Sequence, residues 1–553
     1  MDTRLLAVTR CGLAVSLAVL NGSAQNPVIY LERGDAGMTS SLITGGAKNW
    51  SDKQDPHPGA DYLVETGPLR TPENNLDHTF PGDSLTIRTT AGYMGMKGRG
   101  LVTVNDLRFE SGGKVQQSLA NDSTVRLHAT CTMIPSTPLA GYFDGMATRV
   151  IVLTGAVLGS GEFRFAKMNS DGNTGVGLLH LDADLSGFEG TWAVENPTPG
   201  DTSRLFETYL SANDNIGSTL GTFRPDALKL INGGALGTTG TVSISAAPNR
   251  GITLQNDGAF NATNSTSVLT LGMPIAGTGH LFTRGAGRVE LDGPLAHDGD
   301  IRVTSGTLRL CATNDAYSGK VNVNNATLQI RDERNLGCKP PPAPFSADHL
   351  TLATNGTLQA LATLTISNDW RGIRIEQQGF VSVAAPDTLT LATPISGDSL
   401  TKAGTGMLAL AGNSTYAGTT LIADGTLTVE SVTGLGDSAL SFAPDTTLRV
   451  AYPCPLANGF HICGATPLTI DDRLTLHIEA AEEFPSRFVV PLFFVEEGAE
   501  TEIPFPNIII TTTPPLREGY AFTYLQTPIT HAGNTYTAIS LECRFLGTIM
   551  RVK

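Results

Sequence analysis

Ser399–Val429 reads SLTKAGTGMLALAGNSTYAGTTLIADGTLTV, a series of very short strand candidates, each closed by glycine or a small polar residue. Its apolar residues alternate with small or polar ones, as in Met407–Leu410 and Thr426–Val429. Alternation with a period of two over four or five residues is typical of half-buried strands. Glycines such as Gly404 and Gly425 interrupt these runs where the chain must turn. Since one such unit cannot bury its own apolar edge, we expect further copies to stack on it.

Copies of this stretch do occur upstream. Leu281–Leu291 (LFTRGAGRVEL) aligns without a gap with Leu400–Leu410 (LTKAGTGMLAL). Two more matched pairs of segments precede them: Val268–Gly277 with Thr388–Gly397, and Arg250–Ile252 with Arg371–Ile373. The chain therefore contains two tandem long repeats, at about 225–330 and 347–430.

The best copy carries a recognisable motif, G-x-G-x-L-x-L, then N-x-x-Y-x-G-x-T, then G-x-L. Its residues are Gly404, Gly406, Leu408, Leu410, Asn413, Tyr416, Gly418, Thr420, Gly425 and Leu427. This pattern resembles the autotransporter-associated β-strand repeat, also called the passenger-associated transport repeat. In Leu281–Leu308 the match is weaker, because Leu295, Ala296 and His297 replace the Tyr-x-Gly segment. The resemblance implies a right-handed parallel β-helix in a bacterial secreted or surface protein, and it does not imply a specific ligand. We expect extracellular polysaccharide or other surface proteins as partners.

We therefore predict an all-β chain, a right-handed parallel β-helix with a C-terminal antiparallel β-sandwich or sheet cap. Residues 25–110 are expected to form an N-terminal β segment and cap, and residues 111–430 the β-helix. A cap is needed because an open end of a β-helix exposes unpaired backbone groups. Residues 431–553 have fewer glycine turns and longer alternating strands, which indicates a separate C-terminal β domain.

Residues 1–24 have the features of a secretory signal peptide. Arg4 and Arg10 are the basic residues, Leu13–Leu20 is an apolar core, and Gly22-Ser23-Ala24 offers a small-x-small cleavage site. The alternative is a buried N-terminal strand. The apolar core is too short to span a bilayer, which needs about 20 residues, and no later stretch is long and apolar enough to do so.

Composition agrees with an exported β-solenoid. Charged residues make up 16% of the chain, aromatic residues 6%, and glycine accounts for 61 of 553 positions. The net charge is −15, and Lys and Arg are not clustered. Nucleic acids and anionic membranes are bound by clustered basic residues, so we expect neither as a partner.

The cysteines leave two alternatives open. Cys454 and Cys463 lie close together in a segment that contains Pro453, Pro455 and Gly459. In an oxidising compartment they could form a disulfide, or they could remain buried free thiols. Because no C-x-x-C pair occurs in the sequence, a zinc site is not expected.

A carbohydrate-active enzyme is the alternative function, because glycosidases and polysaccharide lyases also use β-helices. Glycoside hydrolysis requires two carboxylates about 5–9 Å apart. Asp182 and Asp184 could project from one strand face, whereas the adjacent Asp471 and Asp472 would project to opposite faces. His280 lacks the flanking glycine and nearby Arg-x-Lys of pectin hydrolases. Solvated turns or outer faces explain each of these residues better.

Other candidate sites are weaker still. Asn169–Asn173 (NSDGN) has the composition of a calcium loop but lacks the Gly at position six and the Glu at position twelve, where His180 stands. Trp50, Trp192 and Trp370 are expected to pack in the core, and Asn355 and Asn413 to form turns. We assign no catalytic, cofactor-binding or metal-binding residue and no cofactor. The predicted function is a non-catalytic, adhesin-like secreted or cell-surface protein that presents an extended surface.

Overall fold

The computed structural model describes residues 25–32, 36–37, 49–89, 91–118, 124–135, 141–145, 149–166, 175–200, 204–211, 217–218, 220–244, 249–337, 345–367, 370–431, 433–452, 460–462, 469–470, 474–496, 508–531 and 534–546. These residues form short β-strands and a single 3-10 turn, η1 (Glu333–Leu336).

The strands between residues 28 and 210 are β1 (Val28–Tyr30), β2 (Ala36–Gly37), β3 (Asp61–Val64), β4 (Gly67–Arg70), β5 (His78–Thr79), β6 (Ser84–Arg88), β7 (Gly92–Met96), β8 (Leu101–Glu110), β9 (Gly113–Gln117), β10 (Thr124–Met133), β11 (Gly141–Asp144), β12 (Val150–Gly159), β13 (Glu162–Ala166), β14 (Gly175–Asp184), β15 (Thr191–Glu195) and β16 (Arg204–Leu210). Between residues 224 and 360 follow β17 (Arg224–Ile231), β18 (Ala235–Thr238), β19 (Thr241–Ile244), β20 (Arg250–Gln255), β21 (Gly258–Ala262), β22 (Val268–Leu271), β23 (Ile275–Gly277), β24 (Leu281–Arg284), β25 (Arg288–Leu291), β26 (Leu295–His297), β27 (Ile301–Val303), β28 (Thr307–Leu310), β29 (Val321–Asn324), β30 (Thr327–Ile330), β31 (Ser346–Ala353) and β32 (Gly356–Ala360). Between residues 364 and 545 the strands are β33 (Leu364–Ile366), β34 (Arg371–Val383), β35 (Thr388–Leu391), β36 (Ile395–Ala403), β37 (Met407–Leu410), β38 (Thr419–Ile422), β39 (Thr426–Val429), β40 (Ala439–Phe442), β41 (Thr446–Tyr452), β42 (Phe460–Ile462), β43 (Thr469–Ile470), β44 (Leu474–Ala480), β45 (Arg487–Glu496), β46 (Ile508–Thr513), β47 (Tyr520–His531) and β48 (Asn534–Phe545).

The strands build a parallel β-helix of about 15 turns, which confirms the predicted fold class. In the middle of the chain three parallel ladders form its sides. The first ladder contains β18, β21, β24, β27, β29 and β31, the second contains β19, β22, β25, β28, β30 and β32, and the third contains β17, β20, β23 and β26. The long strands β34 and β36 then each join the first and second ladders.

Inward-facing residues align in columns along the rod. Leu269, Val289, Leu308 and Leu328 are paired in register on successive coils and are at most 1% exposed. The same column reaches Lys402, which is 0% exposed. Its ammonium group donates hydrogen bonds to the carbonyl oxygens of Ala403, Gly404 and Asp424, at 3.0, 2.5 and 3.0 Å. A buried charge is tolerated there because its donors are satisfied.

The N-terminal coils are wider and their core is aromatic. Strand β10 pairs in register with β12 over its whole length, so that Val125 faces Ile151 on the next coil. Inside these coils Phe143 contacts Phe163 edge to face at 4.9 Å, and Phe163 contacts Trp192 at 4.6 Å. Such offset aromatic pairs fill the larger cross-section of this part of the rod.

A small sheet near the C-terminus, in the order β42-β45-β48-β47, contains the antiparallel pairs β45–β48 and β47–β48. This agrees with the predicted sheet cap. The Leu546 amide donates to the Gly519 carbonyl, and the register then places the amide side of Pro528 on the outer edge of β47. A proline at this position costs the sheet no hydrogen bond and blunts its exposed edge.

Parallel stacking continues across both expected domain boundaries. Strand β8, which ends at Glu110, pairs in parallel with β10 beyond the first boundary, and β39, β41, β44 and β46 stack in one ladder across residue 430 as far as Thr513. The division into 25–110, 111–430 and 431–553 stays a prediction. The signal segment 1–24 and the pair Cys454–Cys463 lie outside the described residues.

The two long repeats are rotated relative to each other. Strand β20, which begins with Arg250-Gly251-Ile252, lies in the third ladder, whereas the matching start of β34, Arg371-Gly372-Ile373, lies in the first. From one repeat to the next the chain completes several whole coils and then continues along one further side of the rod. Equivalent residues of the two copies therefore face directions about one third of a turn apart.

Candidate functional site

An apolar groove runs along the outside of the first long repeat. This cavity of about 400 Å³, the Phe223 groove, crosses several coils. Its lining includes Phe223, Pro225, Pro274, Pro294, Asp315 and Ala316. The Phe223 side chain is 53% exposed, which is unusual for a residue that gains about 1.5–3 kcal/mol from full burial.

A second groove occupies the equivalent position in the second repeat. This cavity of about 440 Å³, the Phe345 groove, is lined by Phe345, Thr393, Pro394, Gly412 and Asn413 among others. Phe345 is 49% exposed. Phe223 and Phe345 each stand three residues before the aspartates Asp226 and Asp348 that begin corresponding repeat units. Pro274 and Pro394 each precede the isoleucine that starts the next coil of their repeat.

Both phenylalanines lie next to a strand irregularity that recurs in the two repeats. Arg224 pairs with Arg250, but the next pair in β17 is Leu228 with Ile252. Ser346 pairs with Arg371, and the next pair in β31 is Leu350 with Ile373. Extra residues in one strand bend it away from its neighbour. This local bend positions each phenylalanine on the outside of the rod.

Arg250 and Arg371 are the residues that pair with Arg224 and Ser346 at the two irregularities. Both residues are 1% exposed. Arg250 donates to the carbonyl oxygens of Ser218 and Phe188, each at 2.7 Å, and Arg371 donates to that of Gly337 at 2.7 Å. Burial lowers the pKa of Arg250 to about 10, so it remains a cation at neutral pH. The guanidinium groups thus satisfy backbone carbonyls of earlier coils.

Few other large apolar side chains are exposed on the body of the rod. Within the described part of residues 111–430 they are Val176, Phe223 and Phe345. The two aromatic ones therefore coincide with the two equivalent grooves. A third cavity, of about 210 Å³, lies at the C-terminal end and is lined by Phe484, Pro514, Pro515, Tyr520 and Phe545 among others.

A charged cluster lies on the sheet formed by β13, β15 and β17, which continues into the third ladder. Arg164 forms ion pairs with Glu162 and, at 2.6 Å, with Glu195. Lys229 lies 3.0 Å from Glu162 and 3.3 Å from Asp226. Ala193 separates Arg164 from Lys229 in the register, and its small side chain lets Lys229 reach Glu162 across one coil.

This cluster is a network of mutually satisfied ion pairs. Burial opposes the charge of Arg164, yet Glu162 and Glu195 still hold the pKa of Arg164 above its usual value. Glu162 bridges Arg164 and Lys229, so the ion pairs connect three successive coils of this sheet.

A second, buried polar cluster forms around Glu207, which is 2% exposed. Its carboxylate accepts hydrogen bonds from the Tyr209 hydroxyl and the Asn261 amide, both at 2.8 Å, and lies 3.2 Å from Arg284. Burial, and then the charge of Glu207, raise the pKa of Tyr209 well above its usual range. Tyr209, Asn261 and Arg284 all bond to Glu207, so the cluster is a structural network centred on this carboxylate.

The structure places the predicted candidates as follows. Asp182 and Asp184 both point outward from β14, as expected, and the Ser186 backbone amide holds the pKa of Asp184 below its usual value.

His280 is half-buried, and its Nδ1 accepts a hydrogen bond from the Asp300 amide at 2.9 Å while its Nε2 lies 2.9 Å from Arg302. Arg302 comes from the next coil, so the sequence around His280 could not reveal it.

The remaining candidates are packing or turn residues, or lie outside the described residues. Trp50 and Trp192 are fully buried and Trp370 is 8% exposed, which agrees with their expected place in the core. Asn355 adopts a positive φ of 67° in a turn, and the Asn413 side chain accepts hydrogen bonds from Ser431 and Thr433. Asp471, Asp472 and the Asn169–Asn173 segment are outside the described residues. The described residues hold no group of three or more His, Cys, Asp or Glu side chains placed to bind a metal ion.

The two grooves were not predicted from the sequence. Both grooves begin at a shared sequence motif, F-x-x-D-x-L, at Phe223–Leu228 and Phe345–Leu350. Strand periodicity does not predict that the phenylalanine of this motif faces solvent. Likewise, the sequence alignment matches Arg250 with Arg371, but only the tertiary structure shows which carbonyl groups their guanidinium groups bind.

The fold and the outward grooves define a repeat protein, a parallel β-helix that presents its sides to solvent. The passenger-associated-transport-repeat family model matches residues 305–330 and 400–429 of the chain. The chain thus contains autotransporter passenger repeats, as the sequence motif predicts. Both matched segments lie within the coils that carry the grooves or the coils next to them.

One curated relative is similar to part of the chain. It is the Adhesin BmaC autotransporter of Brucella suis biovar 1 (strain 1330), 31% identical over 136 residues, which is 24% of this chain and 4% of that protein. The chain therefore spans a small part of the relative's length. No solved structure matches the chain. The repeat and this similarity indicate a secreted or cell-surface location. Among the described residues, no helix is long and apolar enough to cross a membrane.

Proposed function

We propose that this protein is a non-catalytic, adhesin-like surface protein whose β-helix presents binding sites on its sides. The observation that carries this proposal is the pair of equivalent grooves, each with a phenylalanine about half exposed. Exposed aromatic residues on a rigid scaffold are typical anchors for binding. The similarity to an autotransporter adhesin supports the same function.

The charged groups favour binding over catalysis. A glycosidase needs one carboxylate that can be protonated and a second that can act as base or nucleophile. In the charged cluster on β13, β15 and β17, Glu162 and Glu195 both form ion pairs with Arg164. Asp182 and Asp184 share one strand face, and in the register they lie beside Thr154 and Ala156 of the coil before, neither of which is acidic.

Surface display tests this function. Display of the full chain on a non-adherent bacterial strain should increase retention several-fold on surfaces coated with extracellular matrix or polysaccharide. The same strain carrying the export machinery alone is the control. The purified chain should release no sugars from the same polysaccharides. Sugar release that is abolished by Glu162→Gln or Glu195→Gln would contradict a non-catalytic role.

A further inference from the structure

The two grooves share an exposed phenylalanine next to a proline, although the Phe223 groove is lined mainly by apolar surface and the Phe345 groove mainly by polar surface. In each, an exposed phenylalanine ring lies beside a proline, Pro274 or Pro394, and small residues such as Ala316 or Gly412 leave the groove open. Polar side chains lie at the rim, namely Asp315 in the first groove and Asn413 in the second. A flat apolar platform with a polar rim complements a ring that is apolar on its face and polar around its edge.

We propose that the Phe223 and Phe345 grooves are two equivalent sites for short segments of a neutral polysaccharide. This inference rests on the proposed adhesin-like function and names its ligand class. The sugar ring stacks its C–H face on the phenylalanine, and its hydroxyl groups exchange hydrogen bonds with the rim.

The size of each groove argues for a small repeating unit instead of a folded partner. Cavities of 400 and 440 Å³ lie within the usual range for small-ligand sites, about 300–1,000 Å³. A stable protein partner would need roughly 800 Å² on this side of the interface. Each groove contains one half-exposed phenylalanine, which can anchor a single ligand unit and not a whole protein interface.

The positions of the grooves also favour a flexible polymer. They belong to repeats rotated by one side of the rod and lie about five coils apart, or roughly 25 Å along the axis. A rigid partner docked on one side cannot cover both phenylalanines. Separate segments of a polysaccharide can occupy both, which raises the avidity of the chain for a polymer.

Charge favours a neutral ligand. The chain carries a net charge of −15, which disfavours polyanionic glycans. At the rim of the Phe223 groove, Asp315 forms an ion pair with Arg334, so this rim offers both hydrogen-bond donors and acceptors without net charge. Hydroxyl groups, which both donate and accept, match such a rim.

Calorimetric titration of the mature chain with cellohexaose, chitohexaose and mannohexaose tests the proposal. At least one of these neutral oligosaccharides should bind with two sites per chain, and oligogalacturonate should bind more weakly. Phe223→Ser or Phe345→Ser should reduce the stoichiometry from two to one with an unchanged Kd. The double variant should show no measurable binding under the same conditions, because both sites have lost their aromatic anchor. Val176→Ser, which alters an exposed apolar residue outside the lining of both grooves, is the matched control and should change nothing.

Three results would overturn the inference. The first is that none of the three neutral oligosaccharides binds. The second is that binding survives in the double variant. The third is that an apolar peptide binds in the grooves and no sugar does. Thermal unfolding of each variant excludes loss of fold, and the exposed phenylalanines make such loss unexpected. Cells that display the double variant separate the two proposals. If they still adhere, the adhesin-like function holds and the grooves are not its site, whereas absence of adhesion by the wild-type chain overturns the function itself.

Discussion

Arg250 and Arg371 make the same contact in two copies of one repeat that face different directions. Each donates a hydrogen bond of 2.7 Å from Nη2 to a backbone carbonyl of an earlier coil, Phe188 for Arg250 and Gly337 for Arg371. The repeat thus preserves a buried cation that bonds a carbonyl of an earlier coil, although the copy has moved to another side of the rod. Both arginines should therefore be needed for the stability of the coils around them.

Arg250→Met or Arg371→Met should destabilise the surrounding coils by about 2–4 kcal/mol, because each leaves buried carbonyls without a donor. Hydrogen exchange is the appropriate measurement, since repeat proteins can lose coils locally. Protection should fall in the coils around the substituted residue. Arg374→Met, at an exposed position of the same strand as Arg371, is the control and should stay within about 0.5 kcal/mol of the parent. Equal effects of Arg371→Met and Arg374→Met would contradict the assigned role.

Gly277→Ala and Gly397→Ala should each destabilise the rod by about 2 kcal/mol or more. These equivalent glycines have φ of 110° and 103°, and an added Cβ would lie against the carbonyl oxygen of Leu254 or Ile375 on the preceding coil. Both the positive φ and the close approach exclude a side chain. Chemical denaturation measures the loss. Gly240→Ala, where an added Cβ meets nothing within 4 Å, should be tolerated, and a similar loss there would show that the close approach is not the cause.

Stability should fall as the pH drops from about 6.5 towards 4, because two histidines are buried. Burial lowers the pKa of His297 and of His349 to about 4, and the charge of Arg371 adds to the effect on His349. Below pH 6.5 the unfolded chain takes up protons that the folded chain does not, so each histidine removes up to about 1.4 kcal/mol of stability per pH unit in this window. The nearby charges of Asp298, Asp300 and Asp348 oppose the shift only in part.

Thermal unfolding at a series of pH values measures this slope. Replacement of both residues in His297→Leu/His349→Leu should flatten the curve between pH 4 and 6.5. The control His128→Leu, at an exposed position of β10, should leave the slope unchanged. If the double variant keeps the full slope, the buried histidines are not its source.

The signal segment also gives a direct prediction. Cleavage after Ala24 should produce an exported chain that begins at Gln25. Mass spectrometry of the N-terminal peptide from secreted or surface-displayed protein checks this. Arg4→Glu/Arg10→Glu should retain the chain in the cytoplasm, because the basic n-region is lost. An intact Met1 on the exported chain would support the alternative of a buried N-terminal strand.

Much of the fold was predictable because each strand depends on local alternation and on glycine at fixed turns. Leu408, Leu410 and Leu427 lie in the core as the sequence predicts, at most 1% exposed. The aromatic core of the N-terminal coils was harder to predict, since Phe143, Phe163 and Trp192 come from separate coils and meet only after stacking. The parallel ladder from β39 to β46 was missed for the same reason, because long alternating strands look alike in parallel and antiparallel sheets.

Period-two alternation and repeated motifs are local properties, and they establish from the sequence that this chain is a stack of short strands with glycine corners. Stacking of the whole chain sets the side on which each repeat faces, because this side depends on how many sides the chain turns between copies. It also decided that Phe223 and Phe345 lie outside while Lys402, Arg250 and Arg371 lie inside. Burial of a cation is possible only where carbonyls from other coils surround it, and no local pattern in Ser399–Val429 or elsewhere encodes that arrangement.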